Sequence, residues 1–276
     1  MKLGFVTCVQ LGLSCMKAIY EAGGELALAV TLPDDKAVNK SGRVYLDTFC
    51  VQHDVPLLKS PHVNDSKVTA AIEAADIDWL FIIGWSQIAN SAVLNAPKMG
   101  VLGMHPTLLP VGRGRAAIPW AILMGLDQTG VTMFKLDEGV DTGPIAAQMV
   151  IPLTPKTTAT ELYDAVVSTH IELIRKVIPT LMAGTLALQK QDETLASVWA
   201  GRKPEDGEIN LRGSVWEAER MVRAVTRPYP GAFYVRDGRK IIVWHASATS
   251  VASAPNVNHL KFSDGCLLIR DFLIEI

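Results

Sequence analysis

Between Gly103 and Gly143 the chain brings together residue types that can move an acyl group. His105 comes directly after an apolar run, Val101–Met104, that reads as a buried strand. That is the position where ligands enter open α/β sheets. The following loop, Pro106–Arg115, is rich in Pro and Gly, yet Leu108-Leu109 makes it too apolar for a loose linker. Arg113 and Arg115 flank a glycine and could hold an anion, or be ordinary surface residues. A second loop, Asp137–Gly143, carries Asp137, Glu138 and Asp141 to the same end of the sheet. Of these, Asp137 and Glu138 read as solvated loop charges.

An imidazole beside a carboxylate suits acyl transfer, because the attacking nucleophile loses a proton while an oxyanion forms. The carboxylate would fix the ring's tautomer and stabilise its charged form. On residue types alone, His105 is either this catalytic base or a histidine satisfied at a strand end. A metal site is disfavoured, since no second His or Cys lies at ligand spacing.

The elements that must position these groups alternate through the first two-thirds of the chain. Strands are predicted at Leu3–Thr7, Leu26–Leu32, Trp79–Ile83, Val101–Met104, Val131–Leu136 and Ile145–Ile151. Helices are predicted at Leu13–Glu21, Val44–His53, Ile88–Leu94, Ala116–Leu123 and Ala159–Met182. The alternation predicts an α/β fold, an open and mostly parallel Rossmann-like sheet with helices on both faces. Beyond Ala183 the composition turns polar. A helix at Val215–Thr226 is followed by short strands, among them a hairpin around Asp237-Gly238 and a closing strand at Cys266–Ile276. The expected division is a catalytic domain over 1–200 and a small, mostly β subdomain over 201–276.

Bulk properties narrow the partners. The chain has 276 residues, 49% hydrophobic and 20% charged, as for an ordinary soluble enzyme. Lys plus Arg number 26 against 28 Asp plus Glu, a formal net charge of −2. This offers no basic excess for a phosphate backbone, so nucleic acid is an unfavoured partner. The four cysteines, Cys8, Cys15, Cys50 and Cys266, lack close CxxC pairing and read as core residues of a reducing compartment. No apolar run approaches the roughly 18 residues of a membrane span, and Met1–Leu13 reads as a first strand in place of a signal peptide. A cytoplasmic protein without membrane contact is expected.

The central stretch resembles the 10-formyltetrahydrofolate-dependent formyltransferases, which include methionyl-tRNA, glycinamide ribonucleotide and amino-sugar formyltransferases. The residues that carry the resemblance are His105-Pro106-Thr107-Leu108-Leu109-Pro110, then Thr129-Gly130-Val131-Thr132, then Asp141-Thr142-Gly143. The run Arg113-Gly114-Arg115-Ala116 with Trp120 looks most like the amino-sugar branch. The likeness covers most of 1–185 and persists in Arg202–Gly207 and in Val222–Phe233. It implies His105, Asp141 and Thr107 as catalytic residues. It also implies a pterin lying against Trp85, Ser86, Gln87, Ile88, Val140 and Asp141, with 10-formyltetrahydrofolate as co-substrate and no metal.

One departure stands out. The family's asparagine, two residues before the histidine, falls on Gly103, and that amide supports the oxyanion. Losing one such donor costs roughly 3 kcal/mol, about a hundredfold in rate. Three readings stay open: a backbone N–H or the Thr107 hydroxyl replaces it, protonated His105 carries the oxyanion alone, or the chemistry is slow or altered.

For the acceptor, Lys40-Ser41-Gly42-Arg43 could hold a phosphate through backbone N–H groups and the cations Lys40 and Arg43. The Thr7–Gly12 turn could do likewise, and both segments also read as simple turns. With Arg113 and Arg115 they suggest a nucleotide-linked amino sugar. Aminoacyl-tRNA or another carrier-bound amine is one alternative, and a folate-binding protein without transferase activity is another. The C-terminal sheet is a candidate homodimer surface or a remnant nucleic-acid module.

Overall fold

The computed structural model describes residues 1–251 and 258–275. Ile276, the last residue of the strand expected to close the chain, lies outside the described residues. Elements follow in the order β1 (Leu3–Val6), α1 (Gln10–Glu21), β2 (Leu26–Thr31), α2 (Asp47–Gln52), β3 (Leu57–Lys59), α3 (Ser66–Ala74), β4 (Trp79–Ile82) and α4 (Ser91–Asn95). Next come β5 (Gly100–His105), β6 (Arg113–Gly114), α5 (Ala117–Leu123), β7 (Gln128–Lys135), β8 (Ile145–Pro152) and the long α6 (Ala159–Met182). The remainder holds β9 (Val198–Trp199), α7 (Val215–Val225), β10 (Ala232–Arg236), β11 (Arg239–Thr249), β12 (His259–Lys261) and β13 (Cys266–Ile274).

The first seven-stranded sheet has the order β3-β2-β1-β4-β5-β7-β8. β3, β2, β1, β4 and β5 pair in parallel, while β5 and β7 run antiparallel. A parallel sheet covered on both faces needs strands that are apolar throughout. Leu3-Gly4-Phe5-Val6 and Trp79-Leu80-Phe81-Ile82 meet that demand. Val6, Leu80 and Val101 share a buried cluster with Val68 and Ile72 of α3. The strand order reverses between β1 and β4, which opens a crevice at their C-terminal ends. His105, the last residue of β5, stands beside that crevice.

Two compact units emerge from the chain. The first consists of Met1–Arg113, Gly130–Val150 and Val167–Ser197; the second of Gly114–Thr129, Ile151–Val166 and the chain from Val198 onward. In the second unit α7 packs on the antiparallel sheet β10-β11-β13-β12 and against α5. Ser214 and Glu217 close a capping box on α7. The β10–β11 hairpin turns on Asp237 and Gly238, both at positive φ (51° and 73°), as its two-residue loop requires.

Candidate active site

β5 delivers His105 into a nearly closed position, 8% exposed and paired with Thr132 of β7. Its Nε2 lies 2.8 Å from the carbonyl oxygen of Gly112. A carbonyl can only accept, so Nε2 carries a hydrogen. Nδ1 faces Asp141 Oδ2 at 3.6 Å, beyond a direct hydrogen bond. The Gly112 carbonyl thus holds Nε2, and the Asp141 carboxylate stands opposite Nδ1.

Asp141 sits at φ 56°, in a loop that Asp137 shapes by accepting from the Gly139 N–H (3.1 Å) and the Thr142 hydroxyl (2.7 Å). The loop closes tightly on itself, since a Cβ on Gly143 would lie 1.8 Å from the Lys135 carbonyl oxygen. Glu138 accepts from the Ser91 hydroxyl at 2.6 Å. Asp137 and Glu138, read from the sequence as solvated charges, thus have local structural partners.

The loop after His105 is fastened from below. The Thr132 hydroxyl donates to the Thr107 carbonyl (2.7 Å) and accepts from the Leu109 N–H (3.0 Å), while the Gln148 amide donates to the Leu109 carbonyl (2.7 Å). Thr107 is 1% exposed, and its own hydroxyl oxygen has no partner among the described residues. At Gly103 the missing side chain is not replaced by empty space, because Leu136 fills it.

A cavity of about 340 Å³ lies between α4 and the segment leading into the Asp141 loop, lined among others by Ser91, Leu94, Gly100, Lys135, Leu136 and Glu138. None of the residues expected against the pterin lines this cavity. Trp85 is half-buried and donates to Gln87, whose amide is spent on Val63 and Pro61. Ser86 accepts from Lys40 Nζ at 2.8 Å, joining one expected phosphate ligand to one expected folate contact. Ile88 and Val140 are exposed apolar side chains.

Two of the expected anion ligands are engaged inside the first unit. The Arg43 guanidinium donates to the carbonyls of Cys8, Leu32, Pro33, Lys36 and Val44, tying its loop to the ends of β1 and β2. Arg113 is 6% exposed and faces Gln191 and Glu193. The Glu193 carboxylate beside it raises its pKa further, and Glu193 is lowered in return. Guanidiniums bound in this way have little left for an anion. Arg115, in the second unit, keeps an exposed side chain.

Comparison with known proteins adds a decisive observation. Residues 9–178, more than half of the chain, match the formyl transferase family, and residues 202–270 match the formyl transferase C-terminal domain. The chain belongs to the formyl transferase family. This formyltransferase is 32% identical over 261 residues to the methionyl-tRNA formyltransferase of Chloroflexus aurantiacus, covering 94% of the chain and 83% of that relative. Its fold is similar to that of WlaRD, a sugar 3N-formyltransferase solved with dTDP and 5-N-formyl-tetrahydrofolate. There the TM-score is 0.73 at 18% identity, covering 99% of this chain and 98% of the other. A Helicobacter canadensis N-formyltransferase in complex with folinic acid and dTDP-3-aminofucose superposes with a TM-score of 0.71 at 17% identity, covering 99% and 100%. Among the described residues no helix is long and apolar enough to cross a membrane.

Proposed function

We propose that this formyltransferase moves the formyl group of 10-formyltetrahydrofolate onto the primary amine of a nucleotide-linked amino sugar, with His105, Asp141 and Thr107 as its catalytic residues. The observation that carries the reading is the His105 ring, held at Nε2 by the Gly112 carbonyl and facing the Asp141 carboxylate with Nδ1 at 3.6 Å. Nδ1 takes the proton that the attacking amine must lose, and Asp141 gives that proton a negative neighbour. We assign Thr107, whose buried hydroxyl has no partner among the described residues, as the donor that replaces the amide absent at Gly103. The cavity lined by Leu94, Leu136 and Glu138 adjoins the same loop and sets polar groups such as Ser91, Asn95 and Glu138 beside apolar side chains, which gives the polar edge of a pterin hydrogen-bond partners.

The sugar acceptor is favoured by the formal charge of −2 and by the fold likeness to two sugar formyltransferases, with TM-scores of 0.73 and 0.71. Methionyl-tRNA is the second reading, favoured by the relatives that are 28–32% identical. The test is tetrahydrofolate release from 10-formyltetrahydrofolate with a panel of dTDP- and UDP-linked amino sugars, beside charged initiator tRNA at 50 and 200 mM salt. Turnover with a sugar that is insensitive to salt supports the first reading. Turnover with tRNA alone, falling steeply with salt, replaces it by the second. No folate release with any acceptor removes both.

A further inference from the structure

We propose that Gln191 is a positioning residue of this active site: its buried carboxamide holds the Asp141 loop at its working distance from His105, and so governs turnover more than substrate binding. The proposal rests on the reading of His105 and Asp141 as the reacting pair.

Gln191 follows α6 in a stretch without regular structure, yet it is only 4% exposed. Both hydrogens of its amide are used on the catalytic loop, donated to the carbonyls of Asp141 (2.9 Å) and Gly143 (2.7 Å). Its oxygen accepts from Arg113 Nε (3.2 Å) and Nη2 (2.7 Å). A guanidinium only donates, so the amide orientation is fixed and cannot be flipped. Glu193 in turn grips Arg113 with two contacts of 2.8 Å.

The same short segment also holds the other half of the pair. Gly112, whose carbonyl fixes the His105 ring, donates its N–H to the Ser197 hydroxyl at 3.0 Å. The Arg113 N–H reaches the Ser197 carbonyl at 2.9 Å, and the Ser197 N–H reaches the Pro110 carbonyl at 3.2 Å. Residues 191–197 therefore clamp the His105 loop through Ser197 and the Asp141 loop through Gln191, with Arg113 as the crossbar. The clamp answers a local need. Asp141 stands at φ 56°, a left-handed conformation that is unfavourable for a non-glycine residue and persists only where surroundings enforce it. A misplacement of about 1 Å between reacting groups can cost on the order of a hundredfold in rate.

The experiment compares Gln191→Glu and Gln191→Met with the parent enzyme, using the acceptor identified as above. Gln191→Glu keeps the shape and an oxygen for Arg113 but loses both donors to the loop; Gln191→Met keeps the volume and loses every polar contact. For each variant that gives a cooperative melt, kcat is expected to fall ten- to a hundredfold. The KM for 10-formyltetrahydrofolate and the Kd for 5-formyltetrahydrofolate are expected to stay within threefold, and the pH profile of kcat to be displaced. A milder Gln191→Asn, which retains an amide one methylene shorter, carries the test if neither of the others folds; an intermediate kcat is expected. A folded variant with kcat within threefold of the parent, or one whose loss lies wholly in KM and Kd, overturns the proposal. His105→Ala, assayed in parallel, separates the two levels. If it retains parental turnover the catalytic reading fails; if it is inactive while the Gln191 variants are unimpaired, only the clamp fails.

Discussion

Leu136 occupies the space into which a side chain on Gly103 would grow: its Cδ2 stands 2.6 Å from the position a Cβ would take. The glycine and the leucine therefore form one packing unit, and the amide that the sequence resemblance leads one to expect at 103 does not fit there by a single change. Gly103→Asn is expected to destabilise the protein by about 1–3 kcal/mol through overpacking, without raising turnover. The pair Gly103→Asn with Leu136→Ala makes room, and its turnover is expected to exceed that of Gly103→Asn alone. Urea denaturation and tetrahydrofolate release read the two effects. A fully stable, faster Gly103→Asn single variant would refute the packing argument.

His105→Ala and Asp141→Ala are each expected to lower turnover at least about a hundredfold, with thermal midpoints close to the parent. Because the pair acts together, the double variant should be little worse than either single one. Additive losses in a double-mutant cycle would show that the two side chains work independently.

Thr107 separates stability from catalysis. A buried hydroxyl with no partner costs about 1–3 kcal/mol, so Thr107→Val is expected to leave stability unchanged or improve it. If the hydroxyl donates to the developing oxyanion, the same change lowers kcat on the order of ten- to a hundredfold, and Thr107→Ser keeps most of it. Full activity in the stable Thr107→Val enzyme would remove Thr107 from the chemistry.

All four cysteines are buried. Burial pushes the Cys15 thiol up from 9.0 to about 12. The folded state therefore keeps its proton where the unfolded chain has lost it. Below pH 9 this term is fully present, and it is lost as pH rises from about 9 towards 12, by up to roughly 1.4 kcal/mol per pH unit. Burial lifts Tyr229 from 10.0 to about 12 and acts in the same direction. Urea midpoints are expected to fall steadily above pH 9. Folded protein at pH 8 is expected to leave its thiols untouched by a disulfide reagent that titrates all four in denaturant. A flat stability profile to pH 11, or rapid labelling of the native protein, would contradict this.

How far the sequence could be read depended on the range of the interaction. The continuous apolar runs that became β1, β4 and β5 are visible because burial on both faces leaves nothing polar between them, and α6 has the bounds its periodicity predicts. β3 is not legible, since Leu57–Lys59 is three half-buried residues without a pattern of its own. Nor is α3, because only Val68 and Ile72 of its nine residues are buried. At the site, His105 and Asp141 were recognisable because their neighbours in the chain repeat a known order. The engagement of Arg113 is illegible for the opposite reason: its partner Gln191 is 78 residues away, and a glutamine in a polar tail carries no spacing that would betray it. The hold on the His105 ring likewise depends on a backbone carbonyl at Gly112, which any residue type would supply.

The way the two units share the chain has a consequence for anyone who would cut it. The second unit is not a tail: its helix α5 comes from the middle of the sequence and packs against α7, about a hundred residues later. A fragment ending near Ser197 would strand α5 and the first turns of α6 with their apolar faces in water. Grafting the last eighty residues of a relative onto this protein would therefore succeed only if residues 114–129 and 151–166 travelled with them.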